Sequence, residues 1–377
     1  MAEAMVPSPA ELGHLRLEED TGMLSKHSPT RSGPAPVSSP PSSSVEAALD
    51  EAERLVGAQD LVGAVDTLTR INGGGRHPEV SMRLRSLRHE AAAAVDVEAD
   101  AGRTPWPPTY ADPFPEISGR PPEIGAHELG TDVLGGAVAH HGALVARDLF
   151  DAEQVERTIA GIERARSSRQ AAAEDVWYQP LQVPPPMKTQ ILRNMVAKQG
   201  GMWLADSPAC TEQVLGDLLA AGVVDAIASH FGERPFFSLQ KSTLRRTVPE
   251  YGLVAWHQDG SFLMPGVRTM NIWVALSRCG GDHPAPALEI IPRRIEDVLP
   301  VDGVMSPHSI SYDLIDELAA VMPTTVPAFE PGDAMLFDER FVHRTHLTEE
   351  MTDIRYALEC WFFAPSHHSS QYTPLLV

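Results

Sequence analysis

The first regular feature of the chain is a helical spacing of apolar residues near its N-terminal end. Residues 45–72 place Ala, Leu and Val three and four positions apart, and residues 78–95 repeat this spacing after three consecutive glycines. Such a period is typical of amphipathic helices. It predicts two or three helices that form an antiparallel hairpin over residues 45–99.

The predicted hairpin resembles one tetratricopeptide-like unit, and no second copy of it follows. A single unit of this kind cannot bury its own apolar face. Two interpretations remain open. The face packs onto the rest of this chain, or it forms a protein contact with a partner or with a second copy.

Farther along the chain the pattern changes to short strand-like segments. Residues 140–150 form one such segment, and Asp151 after it can cap a helix. From about residue 236, short apolar or alternating stretches are separated by Pro, Gly and Asp. Many short strands at this spacing predict a jelly roll. The expected fold is therefore mainly β with flanking helices (α+β), a double-stranded β-helix preceded by the small helical hairpin.

Proline and serine mark the expected domain boundaries. Residues 1–44 are rich in both and poor in large apolar residues, which predicts a disordered tail. Residues 100–129 form a second proline-rich stretch, expected to be an extended linker. The predicted order is thus tail, hairpin over 45–99, linker, and a jelly-roll domain over 130–377.

Composition narrows the classes of partner and compartment. With 51 acidic and 30 basic residues the formal net charge is −21, which argues against nucleic acid or an anionic membrane as the main partner. The three cysteines have no spacing typical of a disulfide framework or a thiolate zinc site. No export signal or long apolar run is evident, so we expect a soluble, cytoplasmic protein.

The strongest candidate for chemistry is a metal site built from two histidines and a carboxylate. In an extended strand, His257 and Asp259 project to the same side, about 7 Å apart along the backbone. His-x-Asp alone occurs often by chance, but His343 follows on a later strand, after a turn at residues 331–333. Two imidazoles and one carboxylate leave three positions of a metal open, as non-haem iron(II) oxygenases require.

Three further residues belong to the same region. Thr345 shares a face with His343, whereas His346, the competing ligand, lies on the opposite face. Arg355 begins the last long strand among apolar neighbours, where a guanidinium needs a carboxylate partner. That partner is a bound ligand, or a protein acid such as Glu359 or Asp333.

Residues 130–365 resemble the phytanoyl-CoA dioxygenase family of iron(II)/2-oxoglutarate oxygenases. The resemblance is carried by the entry segment from residue 140, the His-Gln-Asp-Gly segment, the strand around Trp273, and the ordered ending from Gly332 through His343 to Arg355. It implies iron(II), 2-oxoglutarate and O2 as cofactors and cosubstrates. His257, Asp259 and His343 would be the metal ligands.

The same resemblance implies that Arg355 and Thr345 anchor the distal carboxylate of 2-oxoglutarate. It also implies that Trp273 forms a wall of that pocket, although an ordinary core position is an equal alternative for this residue. The expected reaction is hydroxylation of a small molecule, with succinate and CO2 as coproducts. Desaturation or ring closure would use the same residues, whereas halogenation is disfavoured because Asp259 occupies the position that halide would need.

The chain departs from the family pattern after Pro292, where Arg293 and Arg294 replace a usual Gly-Ser-His. Together with Arg245, Arg246 and Arg268 they suggest a basic cluster that meets an anionic substrate, or else a set of salt bridges. Four other histidines are expected to be solvated, namely His140, His141, His367 and His368. Two other function classes stay open, a catalytically degenerate jelly-roll scaffold with a helical docking module and a cupin-like zinc enzyme.

Overall fold

The computed structural model describes residues 42–95, 106, 108–170, 201–249 and 255–377. The predicted tail over 1–44 therefore lies almost wholly outside the described residues. The same holds for the beginning of the predicted linker, residues 100–105.

Up to residue 95, where the description breaks off, the region predicted as a helical hairpin contains three helices: α1 (Ser42–Gly57), α2 (Leu61–Asn72) and α3 (Pro78–Ala93). The Asp60 side chain accepts a hydrogen bond from Gly63 N, 2.9 Å away, and so caps the start of α2. At the end of α2, Gly73 takes a φ of 53°, which glycine adopts without steric cost. The glycine run thus turns the chain from α2 into α3.

The apolar face of the three helices packs onto the sheet of the same chain. Leu68, Leu84 and Leu87 are fully buried in one cluster with Trp361 and Phe363. The packing interpretation of the hairpin therefore accounts for its buried face. A protein contact through its remaining surface stays a prediction.

Among the described residues, nine strands form the larger sheet. The strands are β1 (Glu123–Gly125), β2 (Ala143–Arg147), β3 (Met202–Leu204), β4 (Phe236–Ser238), β5 (Thr243–Thr247), β6 (Thr269–Ala275), β8 (Ala334–Phe337), β10 (Arg355–Phe363) and β11 (Pro374–Leu376). Their order in the sheet is β1-β2-β8-β6-β10, and β10 pairs with both β4 and β5 at its other edge. Pairing is antiparallel throughout except between β1 and β2.

A smaller sheet faces the larger one. It consists of β7 (Ala287–Ile290) and β9 (His343–His346), extended by isolated bridges from His343 to His257 and from Ile290 to Thr325. A cluster that includes Trp273 on β6 fills the space between the sheets. The predicted jelly roll with flanking helices is confirmed.

In the parts of the chain that the structure describes, five more α-helices flank the sheets: α4 (Thr131–His141), α5 (Ala152–Gln170), α6 (Pro208–Ala220), α7 (Val223–Phe231) and α8 (Tyr312–Val321). Alternation along β6 explains how the outer face is covered, because Met270, Ile272 and Val274 point into the cluster that contains the helices. Asp151 caps α5 as expected. Its carboxylate accepts from Gln154 N at 2.8 Å, and the Gln154 side chain accepts from Asp151 N.

One predicted boundary needs correction. The linker was expected to extend to residue 129, but β1 at 123–125 pairs in parallel with β2 and so belongs to the sheet. Pro121 and Pro122 are buried just before it. Proline is tolerated at such a place because an edge strand has one side that needs no N–H donor.

No single helix in the described ranges is long and apolar enough to cross a membrane. The bent pair α6 and α7 reaches that length and composition only when the two helices are taken together.

Candidate active site

A cavity of about 150 Å³ lies between the two sheets and contains the predicted metal ligands. One ligand atom from each of His257, Asp259 and His343 lies within 4.8 Å of the other two. The His257 Nε2 atom is 3.8 Å from Asp259 Oδ1. The structure thus brings together the three residues that the sequence selected, at a separation that one ion can bridge.

Local hydrogen bonds determine which nitrogen of each imidazole faces the cavity. His257 Nδ1 is 3.0 Å from the Ala255 carbonyl, and His343 Nδ1 is 3.1 Å from the Phe341 carbonyl. A carbonyl can only accept, so Nδ1 carries the proton in both rings and Nε2 keeps its lone pair. Both rings therefore present a metal-binding nitrogen.

Asp259 reaches the site by a different backbone path from the one predicted. The sequence suggested that His257 and Asp259 alternate along one strand, but Asp259 begins a short 3-10 helix that ends at Phe262. Its Oδ2 accepts a hydrogen bond of 3.0 Å from Asn271 Nδ2. The turn, rather than strand alternation, brings the carboxylate beside the imidazole.

A second buried carboxylate, Glu359, lines the same cavity as the three candidate ligands. Glu359 Oε1 accepts from Asn271 Nδ2 at 3.2 Å and from Trp361 Nε1 at 2.9 Å, and Arg245 forms an ion pair with Oε2. Asn271 therefore bridges Asp259 and Glu359 and keeps the two carboxylates apart. This bridge compensates two negative charges that burial would otherwise penalise.

Burial dominates the electrostatics of the candidate ligands. Desolvation lowers the pKa of His257 to about 4, with a further contribution from His343, and it also lowers the pKa of His343. Burial raises the pKa of Asp259 to about 6, although His257 and Lys241 act in the opposite direction. Neutral imidazoles are the form in which histidine binds a metal. A cation bound beside Asp259 would favour its charged carboxylate and so lower this pKa.

Arg355 is buried beside Trp273, one of the residues that line the cavity. Its Nη2 donates to Thr247 Oγ1 at 2.9 Å, and its Nη1 donates to the Ala287 carbonyl at 3.3 Å. Burial lowers its pKa to about 10. Neither suggested protein acid pairs with it, because Glu359 is taken by Arg245 and Asp333 by Arg147.

The surroundings of Arg355 suit an anionic ligand. Its Nε atom and the Nε1 atom of Trp273 are buried and make no hydrogen bond among the described residues. The guanidinium lies 5.5 Å from the Trp273 ring, and Trp273 and Thr345 both line the cavity. Buried donors without acceptors are costly, so these atoms indicate a ligand that carries oxygen atoms.

His346 points away from the candidate metal site. Its Nδ1 lies 3.1 Å from Glu289 Oε2, on a carboxylate that also accepts from Arg344. His343 is thus the histidine of β9 that faces the cavity, as strand alternation predicted.

The expectation that the remaining histidines are solvated is wrong for at least two of them. His141 is buried in α4, with Nε2 2.9 Å from Asp112 Oδ1. His368 packs edge-on against Phe236 and Phe363, and burial lowers its pKa to about 4. The prediction considered only the residues next to each histidine in the sequence, whereas the groups that bury these side chains belong to elements distant along the chain.

Four of the five arginines have separate partners and do not form one basic cluster with one another. Arg245, Arg246 and Arg294 form ion pairs with Glu359, Glu163 and Asp338 respectively. Arg268 stacks on the Trp106 ring at 4.4 Å. Only Arg245 of the five lines the cavity, so the salt-bridge interpretation describes these residues better.

Sequence reasoning missed Asn271 and Glu359 as parts of the site, and it also missed Lys241 in the cavity wall. Each is a polar residue inside or beside an apolar strand, on the face that points between the two sheets. Polar residues on the inward face of a strand are the signal that could have identified them.

This fold, with its two histidines, one carboxylate and buried arginine, defines an iron(II)/2-oxoglutarate-dependent oxygenase. The family model described as phytanoyl-CoA dioxygenase (PhyH) matches residues 138–292 of this chain. The matched range includes His257 and Asp259 and ends before His343. The resemblance seen in the sequence is confirmed, and so are iron(II) and 2-oxoglutarate as its cofactors.

Solved structures with a similar fold have low sequence identity to this chain. Apo EctD from S. alaskensis is 18% identical, with a TM-score of 0.44, over 60% of this chain and 75% of its own. AviO1 from Streptomyces viridochromogenes Tue57 is 16% identical, with a TM-score of 0.41, over 62% and 94%. The α-ketoglutarate-dependent carbocyclase SnoK from nogalamycin biosynthesis is 14% identical, with a TM-score of 0.42, over 64% and 86%. No curated protein matches the sequence.

Proposed function

We propose that this chain oxidises a small organic molecule, with hydroxylation as the expected outcome, and that His257, Asp259 and His343 hold the iron. The observation that carries the proposal is the convergence of three ligand atoms within 4.8 Å of one another. Both imidazoles present Nε2 because their Nδ1 atoms are bonded to carbonyls. Three protein ligands leave open positions, which a structural metal site would not.

We further propose that Arg355 and Thr345 bind the distal carboxylate of 2-oxoglutarate and that Trp273 forms the adjoining wall. The unsatisfied Nε of Arg355 and Nε1 of Trp273 support this assignment. A charge-assisted bond from a buried guanidinium to a carboxylate is stronger than a bond between neutral groups. Arg355 would thus orient the cosubstrate as well as attract it.

The chain's own residues have limited tasks in this reaction. When bound, iron(II) with 2-oxoglutarate and O2 supplies the oxidation of a C–H bond, with release of succinate and CO2. The two histidines and Asp259 would position the metal. Asn271 orients the Asp259 carboxylate by donating a hydrogen bond to its Oδ2. Phe337, Leu288 and Trp273 line the cavity with apolar surface, which excludes water from the reacting groups.

The test is spectroscopic and begins without oxygen. Purified protein given iron(II) and then 2-oxoglutarate should develop a weak visible charge-transfer band. Asp259→Ala should lose both the band and succinate formation. Absence of the band in the wild-type protein would reject the oxygenase function in favour of a scaffold, and a tightly bound zinc ion without succinate formation would favour a zinc enzyme.

A further inference from the structure

Three neighbouring strands of the larger sheet carry a row of polar side chains that ends at a candidate iron ligand. In the register of the sheet, Glu359 on β10 lies opposite Thr243 on β5. Arg245 follows Thr243 by two residues and so shares the inward face with Glu359. On the other side, Asn271 on β6 donates to Glu359 at 3.2 Å and to Asp259 at 3.0 Å. The row therefore connects Arg245, through two polar side chains, with the metal site.

The Arg245 guanidinium is aimed at Glu359 by a residue on its own strand. Its Nε donates to Thr243 Oγ1 at 3.0 Å, and its Nη2 forms an ion pair with Glu359 Oε2. The other oxygen of Glu359 accepts from Asn271 and Trp361. Both oxygens of this carboxylate are thus held, and Arg245 provides the opposite charge on Oε2.

Glu359 has the position of a fourth metal ligand but does not act as one in this arrangement. It is buried and lines the cavity together with His257, Asp259 and His343. One nitrogen of Asn271 bonds both carboxylates, so Glu359 lies within about 6 Å of Asp259. Its oxygens are nevertheless outside the group of ligand atoms that converge within 4.8 Å.

The number of protein ligands matters for the proposed reaction. Three protein ligands leave three positions of the metal open, and a fourth would leave two. 2-Oxoglutarate that chelates through two oxygens, together with O2, needs three. A buried carboxylate without an opposite charge is strongly attracted to a nearby cation, so Glu359 released from Arg245 would compete with 2-oxoglutarate for the iron.

We propose that Arg245 is a positioning residue that holds the Glu359 carboxylate away from the iron and so keeps three metal positions open. This inference rests on the proposed function, and it adds the residue that limits the number of protein ligands. Arg245 acts through Glu359 and does not itself bind 2-oxoglutarate.

The first experiment titrates 2-oxoglutarate, without oxygen, into the full chain loaded with iron(II), and records the charge-transfer band. In Arg245→Met the apparent Kd for 2-oxoglutarate should rise by about ten-fold, as expected if Glu359 occupies the metal in about nine molecules of ten. The affinity for iron(II) should not fall, because the variant gains a ligand and loses none.

A second substitution separates this role from direct binding of the cosubstrate. The double variant Arg245→Met with Glu359→Gln should regain the wild-type affinity for 2-oxoglutarate, because the competing carboxylate is gone. Cobalt(II) loaded in place of iron reports the ligand set without turnover, since its visible absorption depends on coordination. That spectrum should change in Arg245→Met and return toward the wild type in the double variant.

Two further variants complete the design. Arg246 is the next residue of β5, projects to the opposite face and pairs with Glu163, so Arg246→Met should bind 2-oxoglutarate as the wild type does. Thr243→Val removes the acceptor that aims Arg245 but keeps both charges. It should raise the apparent Kd by about three-fold, again reversed by Glu359→Gln, and it decides the question if Arg245→Met does not fold.

Three outcomes would overturn the assignment of Arg245. Arg245→Met, or Thr243→Val in its place, could bind 2-oxoglutarate as tightly as the wild type. The loss of affinity could persist after Glu359→Gln, which would show that Arg245 contacts the cosubstrate or supports the fold. The affinity for iron(II) could fall together with that for 2-oxoglutarate. A wild-type protein that forms no band at all is a different result, because it rejects the proposed function itself.

Discussion

His257 and His343 exchange both of their backbone hydrogen bonds across an antiparallel bridge. His257 N donates to His343 O at 3.0 Å, and His343 N donates to His257 O at 3.1 Å. Residues paired in this way send their side chains to the same face of a sheet, and here the ring centres are 4.4 Å apart. The main chain itself therefore places the two imidazoles side by side, before any metal binds.

His343→Ala should remove iron binding, whereas His346→Ala should not. The first variant deletes one of three ligands, and we expect succinate formation to fall by at least about 100-fold, more than is usual for residues that only support a ligand. The second removes a ring that contacts Glu289 outside the cavity. Metal content after dialysis and succinate yield would check this. Equal losses in the two variants would contradict the assignment of His343.

Arg355→Gln should weaken the binding of 2-oxoglutarate. It should have a smaller effect on the rate at saturating 2-oxoglutarate. Loss of a buried charged hydrogen bond costs about 2–5 kcal/mol, so the KM for 2-oxoglutarate should rise by at least about 30-fold. Arg355 also donates to the backbone at Ala287, so a general loss of structure must be distinguished. The control is 2-oxopentanoate, which lacks the distal carboxylate. Wild type should strongly prefer 2-oxoglutarate over it, and the variant should not; an unchanged preference would show that Arg355 does not bind that carboxylate.

The residues that could be predicted from sequence are those whose order along the chain carries the signal. His257, Asp259, His343 and Arg355 stand in a fixed sequence between recognisable strands and turns. Strand alternation then separated His343 from His346 correctly. Alternation also predicted that Asp259 lies beside His257, and it does. The cause is different, because the backbone leaves the extended conformation at Asp259.

The rest of the site depends on strand register, which no local pattern reveals. Asn271 and Glu359 are 88 residues apart, and they meet because Trp273 of β6 pairs with Glu359 of β10. His141 likewise meets Asp112 only through tertiary packing. In the sequence, each of these side chains is a polar residue among apolar ones. Its partner cannot be identified without knowing the tertiary structure.

Asn271→Leu should weaken iron binding, and more at low pH than at high pH. Asn271 donates to both Asp259 and Glu359, and without it the pKa of Asp259, already raised by burial to about 6, should rise further. A metal then competes with a proton over a wider range of pH. We expect a loss of about 10–100-fold in iron affinity near pH 6, with partial recovery near pH 8. A loss that is the same at both pH values would indicate a purely structural role.

Arg88→Met should destabilise the contact between the helical hairpin and the jelly roll. Arg88 on α3 is fully buried, pairs with Glu212 at 2.9 Å and donates to the Leu376 carbonyl. Removal of one member of a buried ion pair costs about 3–5 kcal/mol, because the other charge stays buried. Denaturant unfolding would measure the change. The double variant with Glu212→Met should be less destabilised than Arg88→Met alone, and Arg54→Met, in an exposed pair with Glu51, should behave as wild type.

His230 should make the protein less stable in mild acid. It is buried between Trp106 and Phe231, its Nδ1 lies 2.9 Å from Tyr110 Oη, and burial lowers its pKa to about 4. In the unfolded chain this histidine has an ordinary pKa near 6.5. Between pH 6.5 and about 4 it is therefore protonated in the unfolded chain but neutral in the folded chain. The contribution of neutral His230 to the free energy of unfolding is fully present above pH 6.5 and is lost as the pH falls toward 4.

His230→Gln should reduce the loss of unfolding free energy between pH 7 and pH 5 by about 1–2 kcal/mol, because the variant has no imidazole to protonate in the unfolded state. Denaturant titrations at the two pH values give this difference directly. Tyr110→Phe is the matched control, since it removes the hydrogen bond but leaves the buried imidazole. It should lower stability at both pH values and keep the wild-type dependence on pH. A His230→Gln variant with that same dependence would show that the acid sensitivity arises at other groups.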